Sequence, residues 1–358
     1  MRVYPNSGTF AFDSRRSRPG DSRAPEPEKA KDAMEFPRRQ FLHLATRTAT
    51  LLAVSRFAWA QTYPSRPVRI IVGFAAGGPN DILARLIGQW LSERLGQPFV
   101  IENRSGAGSN IATEAVVRAP PDGYTLLLVG SPNAIDATLY DRLSFNFLRD
   151  ISPVASLFRG ALVMVVHPSV PAKTLPEFIA YSKANPGKLS YGSGGVGGIT
   201  HITAELFMQQ MGLDILHVPY RGVAPALTDL LGGRVQVLFT NPALLIPYIR
   251  ANKLRALAIT TAMRLEALPD IPAVAEFVPG YEASSIFGFG APRNTPAEII
   301  DKLYKEINAG LADPKIKGRL ADLYGTALGG SPADFGKLLA EETEKWGKVI
   351  RAADIRPQ

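Results

Sequence analysis

Six short segments, rich in glycine, serine and asparagine, contain most of the residues that could bind a ligand. Each follows a predicted strand, and together they offer backbone N–H groups, hydroxyls and amides but almost no general acid, general base or metal ligand. This composition favours a receptor for a small anion over a catalytic site. The segments are FAAGGPND (74–81), SGAGSN (105–110), GSPN (130–133), GSGGVGG (192–198), PYRG (219–222) and TNPA (240–243).

Two of these segments share glycine spacing with nucleotide-binding loops. The spacing at 73–78 is G-x-x-x-x-G, but Pro79 and Asn80 stand where a phosphate loop needs Lys and Ser or Thr. The segment at 192–197 matches G-x-G-x-x-G, although the next strand, ILHVPY, ends without the acidic residue that binds a ribose. Since Arg221 could bind a 2′-phosphate, an exported NAD(P)-dependent oxidoreductase is the alternative function.

The candidate nucleophile and the histidines lack the spacing of known catalytic or metal sites. Ser193 lies in YGSGG, which is not the G-x-S-x-G of a nucleophile elbow. His167, His201 and His217 show no paired-ligand spacing. We therefore predict no catalytic residue, no metal ligand and no cofactor, and a protein that is not an enzyme.

Short apolar runs alternate with helical patterns along the body of the chain. VRIIVGF, PFVIEN and YTLLLVG are predicted strands of one unit, and LSYGS, ILHVPY, VQVLFT and LRALAIT are predicted strands of a second unit. Such alternation predicts an α/β protein with two parallel-core sheets flanked by helices. The extended runs SPVASLFRGALVMVVHP and SIFGFGAP cross between the units, and two antiparallel strands side by side would form a hinge.

These crossings predict two lobes, which follow an N-terminal leader. Lobe 1 would contain residues 61–160 and 286–358, and lobe 2 would contain residues 161–285. The ligand cleft would lie between the carboxyl ends of the two sheets, where the loops that follow the strands converge. The leader would occupy residues 1–60.

Charge and composition narrow the class of partner. The 358 residues contain no cysteine and carry a formal net charge of +8. Residues 1–60 hold 11 Lys/Arg and 6 Asp/Glu, which leaves 29 and 26 in the body. The body is nearly balanced and has no basic stripe with interleaved aromatic residues, so we expect no nucleic-acid partner.

The leader has the layout of an export signal. Met34 is a better start than Met1, which would place residues 1–33 upstream of the true chain. Arg38 and Arg39 precede a modestly apolar stretch that ends in Ala-Trp-Ala at 58–60. We predict a signal peptide of twin-arginine type over residues 34–60, cleavage after residue 60 and a periplasmic location.

Long motifs follow one another in order along residues 62–350. They are VRIIVGFAAGGPNDILARLIGQWLSERLGQPFVIENRSGAGSNIATEAVVRAPPDGYTLLL, LSYGSGGVGGITHITAELF, HVPYRGVAPALTDLLGGRVQVLF and FGFGAPRNTPAEIIDKL. This series resembles the solute-binding proteins of tripartite tricarboxylate transporters, also called Bug or TctC receptors. The resemblance implies a type II periplasmic binding protein whose two lobes close on a carboxylate.

The resemblance also implies where the ligand binds. The first loop and the glycine-rich loop of lobe 2 would hold the carboxylate, and Tyr220, Arg221 and Gly222 would form the rim or floor. Further polar groups at strand ends complete the expected site. The ligand-binding residues predicted in this way are Phe74, Ala75, Gly77, Gly78, Asp81, Ser131, Asn133, Ser193, Gly194, Gly195, Gly197, His201, Tyr220, Arg221, Thr240 and Asn241.

The chain departs from the family pattern within the two loops that the resemblance assigns to the ligand. Ala75 and Ala76 stand where the family usually has proline, and Gly198 replaces a frequent serine. The expected ligand is therefore left open among di- or tricarboxylates, aromatic acids and acidic amino acids. Asp81 could pair with the ammonium of an amino acid. We expect a monomeric receptor that serves a tripartite transporter or a membrane sensor.

Overall fold

A six-stranded sheet forms the first half of the fold in the computed structural model, which describes residues 63–140 and 142–357. Three parallel strands, in the order β2-β1-β3, continue into three antiparallel strands, in the order β10-β4-β11. The strands are β1 (Val68–Val72), β2 (Phe99–Asn103), β3 (Thr125–Gly130), β4 (Ile151–Ala161), β10 (Ser284–Pro292) and β11 (Gly325–Ala327).

A second sheet of five strands follows between β4 and β10. Its order is β7-β6-β8-β5-β9, with β7, β6 and β8 parallel and β5 antiparallel to both of its neighbours. The strands are β5 (Val163–Val166), β6 (Ser190–Ser193), β7 (Leu216–Pro219), β8 (Val237–Thr240) and β9 (Arg255–Ile259).

Helices connect the strands and flank both sheets. Among the described residues, none of these helices is long and apolar enough to span a membrane. The leader predicted from the sequence lies outside the described residues. The helices are α1 (Pro79–Leu95), α2 (Asn110–Val117), α3 (Ser131–Leu139), α4 (Phe147–Asp150), α5 (Leu175–Ala184), α6 (Ile199–Met211), α7 (Val223–Leu231), α8 (Ile246–Arg250), α9 (Ala297–Ala312), α10 (Pro314–Ala321) and α11 (Pro332–Ala352), with short 3₁₀ turns at Ala107–Ser109, Pro242–Leu244 and Val274–Glu276.

Helix α1 shows how local chemistry places the first loop. Pro79 occupies its first position, where the missing N–H costs no hydrogen bond, and Gly96 ends it in the left-handed conformation (φ 72°). Leu83, Ile87 and Leu91 are spaced to lie on one face, and all three are buried in the core of the first sheet. Burial of this face fixes the start of α1 at the carboxyl end of β1.

Two adjacent strands carry the chain between the sheets, as the sequence predicts. β4 pairs antiparallel with β10 from Ala161 and Ser284 to Ile151 and Pro292. After β4 the chain passes through Leu162 into β5 of the second sheet, and it returns from β9 to β10. The predicted fold class, with two parallel-core sheets joined by two hinge strands, is confirmed.

The C-terminal helix α11 contacts elements of both sheets. Its first half packs Phe335 in a cluster with strands of the first sheet. Its last turns pack Trp346 and Ile350 in a cluster that also contains Phe207 of α6. In addition, the Gln209 Nε2 donates a hydrogen bond to the carbonyl of residue 349 at 3.1 Å. Helix α11 therefore packs along both halves of the fold.

Candidate functional site

A cavity of about 550 Å³ lies between the two sheets, at the carboxyl ends of their strands. Hinge strands, loops and helix starts from both sides form its wall. From the first sheet and its connections it is lined by Phe74, Pro79, Asn80, Leu83, Pro132, Phe158, Gly160, Ala161, Ser285, Phe287 and Leu323. From the second sheet and its connections it is lined by Leu162, Gly194, Gly198, Ile199, Thr200, Gly222, Val223, Thr240, Asn241 and Leu244.

Four helices begin at this cavity, one of them α3, whose second residue, Pro132, lies in the wall. Asn80 lies in the first turn of α1, Thr200 in the first turn of α6, and Val223 begins α7. The backbone N–H groups of a first turn have no acceptor within their own helix, and the helix dipole places partial positive charge there. The cavity therefore receives attraction for an anion from α1 on one side and from α6 and α7 on the other.

Among the described residues that line the cavity, none has a charged side chain. The polar side chains in the wall are hydroxyls and amides, at Asn80, Thr200, Thr240, Asn241 and Ser285. An anion in this cavity would thus be held by neutral donors and helix dipoles. In the described part of the chain, no group of three or more His, Cys, Asp or Glu side chains could hold a metal ion.

Asp81 is directed into the first loop instead of the cavity. Its Oδ2 accepts hydrogen bonds from the Gly77 N–H at 2.9 Å and from Arg85 Nε at 2.8 Å. Its Oδ1 accepts from Asn103 Nδ2 at 3.1 Å, and the same amide donates to the carbonyl of Phe74 at 2.9 Å. The hydrogen bond from Arg85 is the main cause that lowers the pKa of Asp81 to about 2. The carboxylate therefore shapes loop 74–81 and stays ionised.

We expect Asp81→Asn to lower the free energy of unfolding at pH 7 by about 1 kcal/mol, because the variant loses a buried carboxylate that accepts from three donors. The loss is no larger because the main donor, Arg85, is half exposed and solvent screens the pair. The pKa is lower in the folded state, so this stabilisation is complete above pH 4 and is lost as the pH falls towards 2. Urea unfolding at several pH values measures it. Asp301→Asn, which removes an exposed i,i+4 pair with Lys305, is the control and should change stability by under about 0.5 kcal/mol. Equal losses for the two variants would contradict this role of Asp81.

The glycine-rich loop is held to its neighbours by its backbone. Thr200 Oγ1 accepts a hydrogen bond from the Gly194 N–H at 2.9 Å, and the Gly222 N–H donates to the carbonyl of Gly194 at 3.0 Å. The starts of α6 and α7 are thereby tied together at the cavity. Because Thr200 Oγ1 already accepts from Gly194, its hydroxyl hydrogen is oriented away from that N–H and can be donated to a ligand oxygen.

Two stacked histidines support this loop from behind. His217 Nε2 lies 2.7 Å from the Oγ of the fully buried Ser193. His201 Nδ1 accepts a hydrogen bond from the Gly197 N–H at 3.0 Å. The two imidazole rings stack with their centroids 3.8 Å apart, and the Tyr191 ring lies nearly parallel to both, 4.7 Å from His217 and 6.2 Å from His201. The histidines thus hold both ends of residues 193–197.

Burial and the neighbouring acid set the charges in this cluster. Burial, and next the proximity of His201, lower the pKa of His217 to about 4. Burial alone would raise the pKa of Glu205, but hydrogen bonds from His201 and Tyr191 outweigh it and lower that pKa. At neutral pH the cluster therefore holds a neutral His217 beside an ionised Glu205.

The predicted site residues occupy three kinds of position. Those that line the cavity are Phe74, Gly194, Thr240 and Asn241. A second group has polar side chains that form hydrogen bonds within the protein. The pairs are Asp81 with Gly77, Ser131 with Ile286, Asn133 with Gly130, Ser193 with His217, His201 with Gly197, and Tyr220 with Asp229. The others, Ala75, Gly77, Gly78, Gly195, Gly197 and Arg221, belong to the same loops but are not among the lining residues.

Asn241 lines the cavity but its amide serves the fold. Its Oδ1 accepts from the Ala243 N–H at 2.9 Å, and its Nδ2 donates to the carbonyl of Leu323 at 3.2 Å. Leu323 follows α10 and packs with the core of the first sheet. Asn241 therefore joins the second sheet's loop to an element of the first.

Sequence reasoning missed Thr200 and the apolar part of the wall. Thr200 follows Gly198 at a helix start, which is a local signal that could have identified it. Phe158, Phe287 and Leu323 come from distant parts of the chain and meet only in the folded protein. No local motif marks them.

Comparison with known proteins identifies the family. Residues 83–355 match the model of the tripartite tricarboxylate transporter family receptor. The chain is 36% identical to BugT of Bordetella pertussis over 295 residues, which cover 82% of this chain and 90% of that protein. It is 34% identical over 324 residues to a protein encoded in the tcbD–tcbE intergenic region of Pseudomonas sp. strain P51, covering 90% of this chain and 96% of that protein.

Solved structures agree with this match. One from R. palustris, determined with adipate, is 38% identical, has a TM-score of 0.73, and covers 83% of this chain and 100% of its own. MatC from Rhodopseudomonas palustris, determined with bound malate, is 31% identical, has a TM-score of 0.69, and covers 80% of this chain and 100% of its own. The resemblance noted in the sequence is confirmed.

Proposed function

Because the chain belongs to the tripartite tricarboxylate transporter family of receptors, we propose that it is a receptor whose two lobes close on a small organic carboxylate and that it delivers this ligand to a membrane transporter or sensor. The family consists of solute-binding receptors and not of enzymes, which supports binding without turnover. The mature form would act in the periplasm after export by the twin-arginine signal and cleavage after residue 60. Its lobes would contain residues 61–160 with 286–358, and 161–285.

One observation carries the proposal. The starts of α1, α6 and α7 meet at a cavity whose described lining has no charged side chain. Such an arrangement binds an anion through backbone N–H groups and dipoles and supplies no general acid or base. The relatives solved with adipate and malate show that this fold holds carboxylates in other members.

The position of the cavity supports the proposed closure of the lobes. Its wall includes Phe158 and Phe287 on the hinge strands, Asn80 on one side and Val223 on the other. A ligand that contacts both sides favours the closed form in proportion to its extra affinity for that form. A difference of about 1.4 kcal/mol changes the ratio of the two forms tenfold.

We expect a carboxylate ligand to raise the melting temperature and to reduce the radius of gyration. At 100 times Kd, binding adds about 2.7 kcal/mol to the free energy of unfolding. A thermal-shift screen of mono-, di- and tricarboxylates, aromatic acids and amino acids identifies the ligand, and small-angle scattering measures compaction. The methyl ester of each active acid is the control, because it keeps the body of the ligand and removes the charge. The proposal fails if no acid stabilises the protein, or if chromatography shows that the bound acid is converted.

A further inference from the structure

The largest part of the cavity wall is apolar. Phe158 and Phe287 pair across the hinge strands, with their ring centroids 6.1 Å apart. Phe74 and Leu323 line the cavity on the same side, and Ile199 and Leu244 line it on the other. A ligand that fills this space must place atoms against carbon on both sides. Apolar atoms gain from that contact, whereas hydroxyl and ammonium groups lose water there.

An ammonium group would find no counter-charge in this wall. No Asp or Glu is among the described residues that line the cavity. Asp81 follows the lining residue Asn80 in the sequence, but its carboxylate is buried and already accepts hydrogen bonds from Gly77, Arg85 and Asn103. An ammonium transferred from water to this site would therefore be desolvated without a partner, which is costly.

The polar groups of the wall are few: Asn80 and Thr200 lie at helix starts, and Thr240, Asn241 and Ser285 lie at or next to strand ends. Thr200 and the first-turn N–H groups of α1, α6 and α7 serve one kind of ligand group, a carboxylate. The amide of Asn241 is engaged by Ala243 and Leu323, so the polar side chains of the wall that remain for a ligand away from the helix starts are the hydroxyls of Thr240 and Ser285. The polar and apolar parts of the wall thus require a ligand with a charged end and an apolar body.

We propose that the ligand is an organic acid whose body is a hydrocarbon ring or a chain of several methylenes, without an ammonium group. This inference rests on the proposed function and narrows its ligand class. It separates this chain's ligand from acidic amino acids. The carboxylate lies at the helix starts, and the body packs between the hinge-strand phenylalanines and Leu244.

Isothermal titration with two sets of related acids tests this proposal. The parent acids are 3-phenylpropanoate and adipate. L-phenylalanine and L-2-aminoadipate add only an ammonium to them, and each should bind at least 30-fold more weakly than its parent. Propanoate and succinate remove the phenyl ring or two methylenes. They should bind at least tenfold more weakly, since each buried methylene strengthens binding about fourfold.

The results separate this inference from the proposed function. The inference about the ligand's body is overturned if either amino acid binds as tightly as its parent acid or if succinate binds as tightly as adipate. It is also overturned if citrate or malate binds more tightly than both parent acids. In those cases the protein is still a carboxylate receptor. If no acid in these sets or in the wider screen binds, the proposed function itself fails.

A variant of the wall supplies a second test that does not depend on folding of the core. Leu244 lines the cavity and is 49% exposed, so Leu244→Ser should fold normally. It should weaken binding of the tighter parent acid at least fourfold. Met263→Ser removes a side chain that is 79% exposed and is not among the lining residues, and it should leave affinity unchanged. Unchanged affinity in Leu244→Ser would contradict the placement of the ligand's body.

Discussion

Replacing Thr200 by valine is expected to weaken carboxylate binding by about 10- to 100-fold. Valine has nearly the same shape but removes the hydroxyl that accepts from the Gly194 N–H and faces the cavity. The substitution leaves that N–H without its acceptor and removes a donor for the ligand. An unmade hydrogen bond to a buried group costs about 1 to 3 kcal/mol, and bonds to charged groups lie at the upper end of that range. Titration calorimetry with the best acid measures the loss.

Two variants show whether the loss comes from the hydroxyl itself. Thr200→Ser keeps the hydroxyl and should bind within about threefold of the parent protein. Thr203→Val makes the same exchange one turn further along α6, where the Thr203 hydroxyl is buried without a hydrogen-bond partner. It should leave affinity unchanged and stability equal or higher. If Thr200→Val and Thr203→Val bind equally well, Thr200 does not contribute to the site.

The free energy of unfolding is expected to fall by about 1 to 2 kcal/mol between pH 6.5 and pH 4 through His217 alone, because His217 is only partly buried and solvent screens its charge. Burial lowers the pKa of His217 to about 4 in the folded protein, whereas the unfolded chain has the ordinary value of 6.5. Between these values the unfolded state binds more protons, so stability decreases as the pH falls. Below pH 4 both states are protonated and the loss is complete.

The measurement is the difference between the parent protein and His217→Gln. Glutamine can still bond to Ser193 but does not titrate, so the pH-dependent loss should be smaller by about 1 to 2 kcal/mol in urea unfolding at pH 4 and 7. Comparing variants is necessary because burial raises the pKa of Asp136 to about 8, which makes the protein more stable as the pH falls over the same range. Identical pH profiles for the two proteins would contradict the neutral, partly buried state of His217.

The same protonation should reach the ligand site. His217 holds Ser193 at one end of residues 193–197, and the stacked His201 holds the Gly197 N–H at the other. A positive charge on His217 would face the ring of His201, and Glu205 is the only compensating charge among the groups that act on His217 in the described structure. Affinity for the acid should therefore decrease in the pH range in which stability decreases.

Much of the architecture could be predicted from local sequence pattern. Runs such as VRIIV and YTLLLV followed by amphipathic helices gave the parallel sheets, because strand and helix periodicities depend on residues a few positions apart. The glycine-rich segments at strand ends were located for the same reason. A first helical turn needs a residue such as Pro79 and a loop that leaves its N–H groups open. The family could also be recognised at this level.

The direction of each polar side chain depended on the tertiary structure. Asp81 could face a ligand or a cation by sequence, and the fold placed it against Asn103, 22 residues away. Ser193 was a plausible ligand contact, and the fold buried it against His217. The partners of these groups are brought by other strands, so their energies are decided by packing and not by local spacing.

Local sequence pattern was enough to predict two α/β halves, two crossings between them and loops rich in glycine and small polar residues at the ends of the strands. Only the tertiary structure decided that the cavity pairs neutral helix starts with a wall built from Phe158, Phe287 and Leu323. These residues are separated by up to 165 positions and meet because β4 pairs with β10 and with β11, which follows Leu323 closely. Long-range strand pairing has no local signature, and it is this pairing that sets the ligand's apolar surroundings.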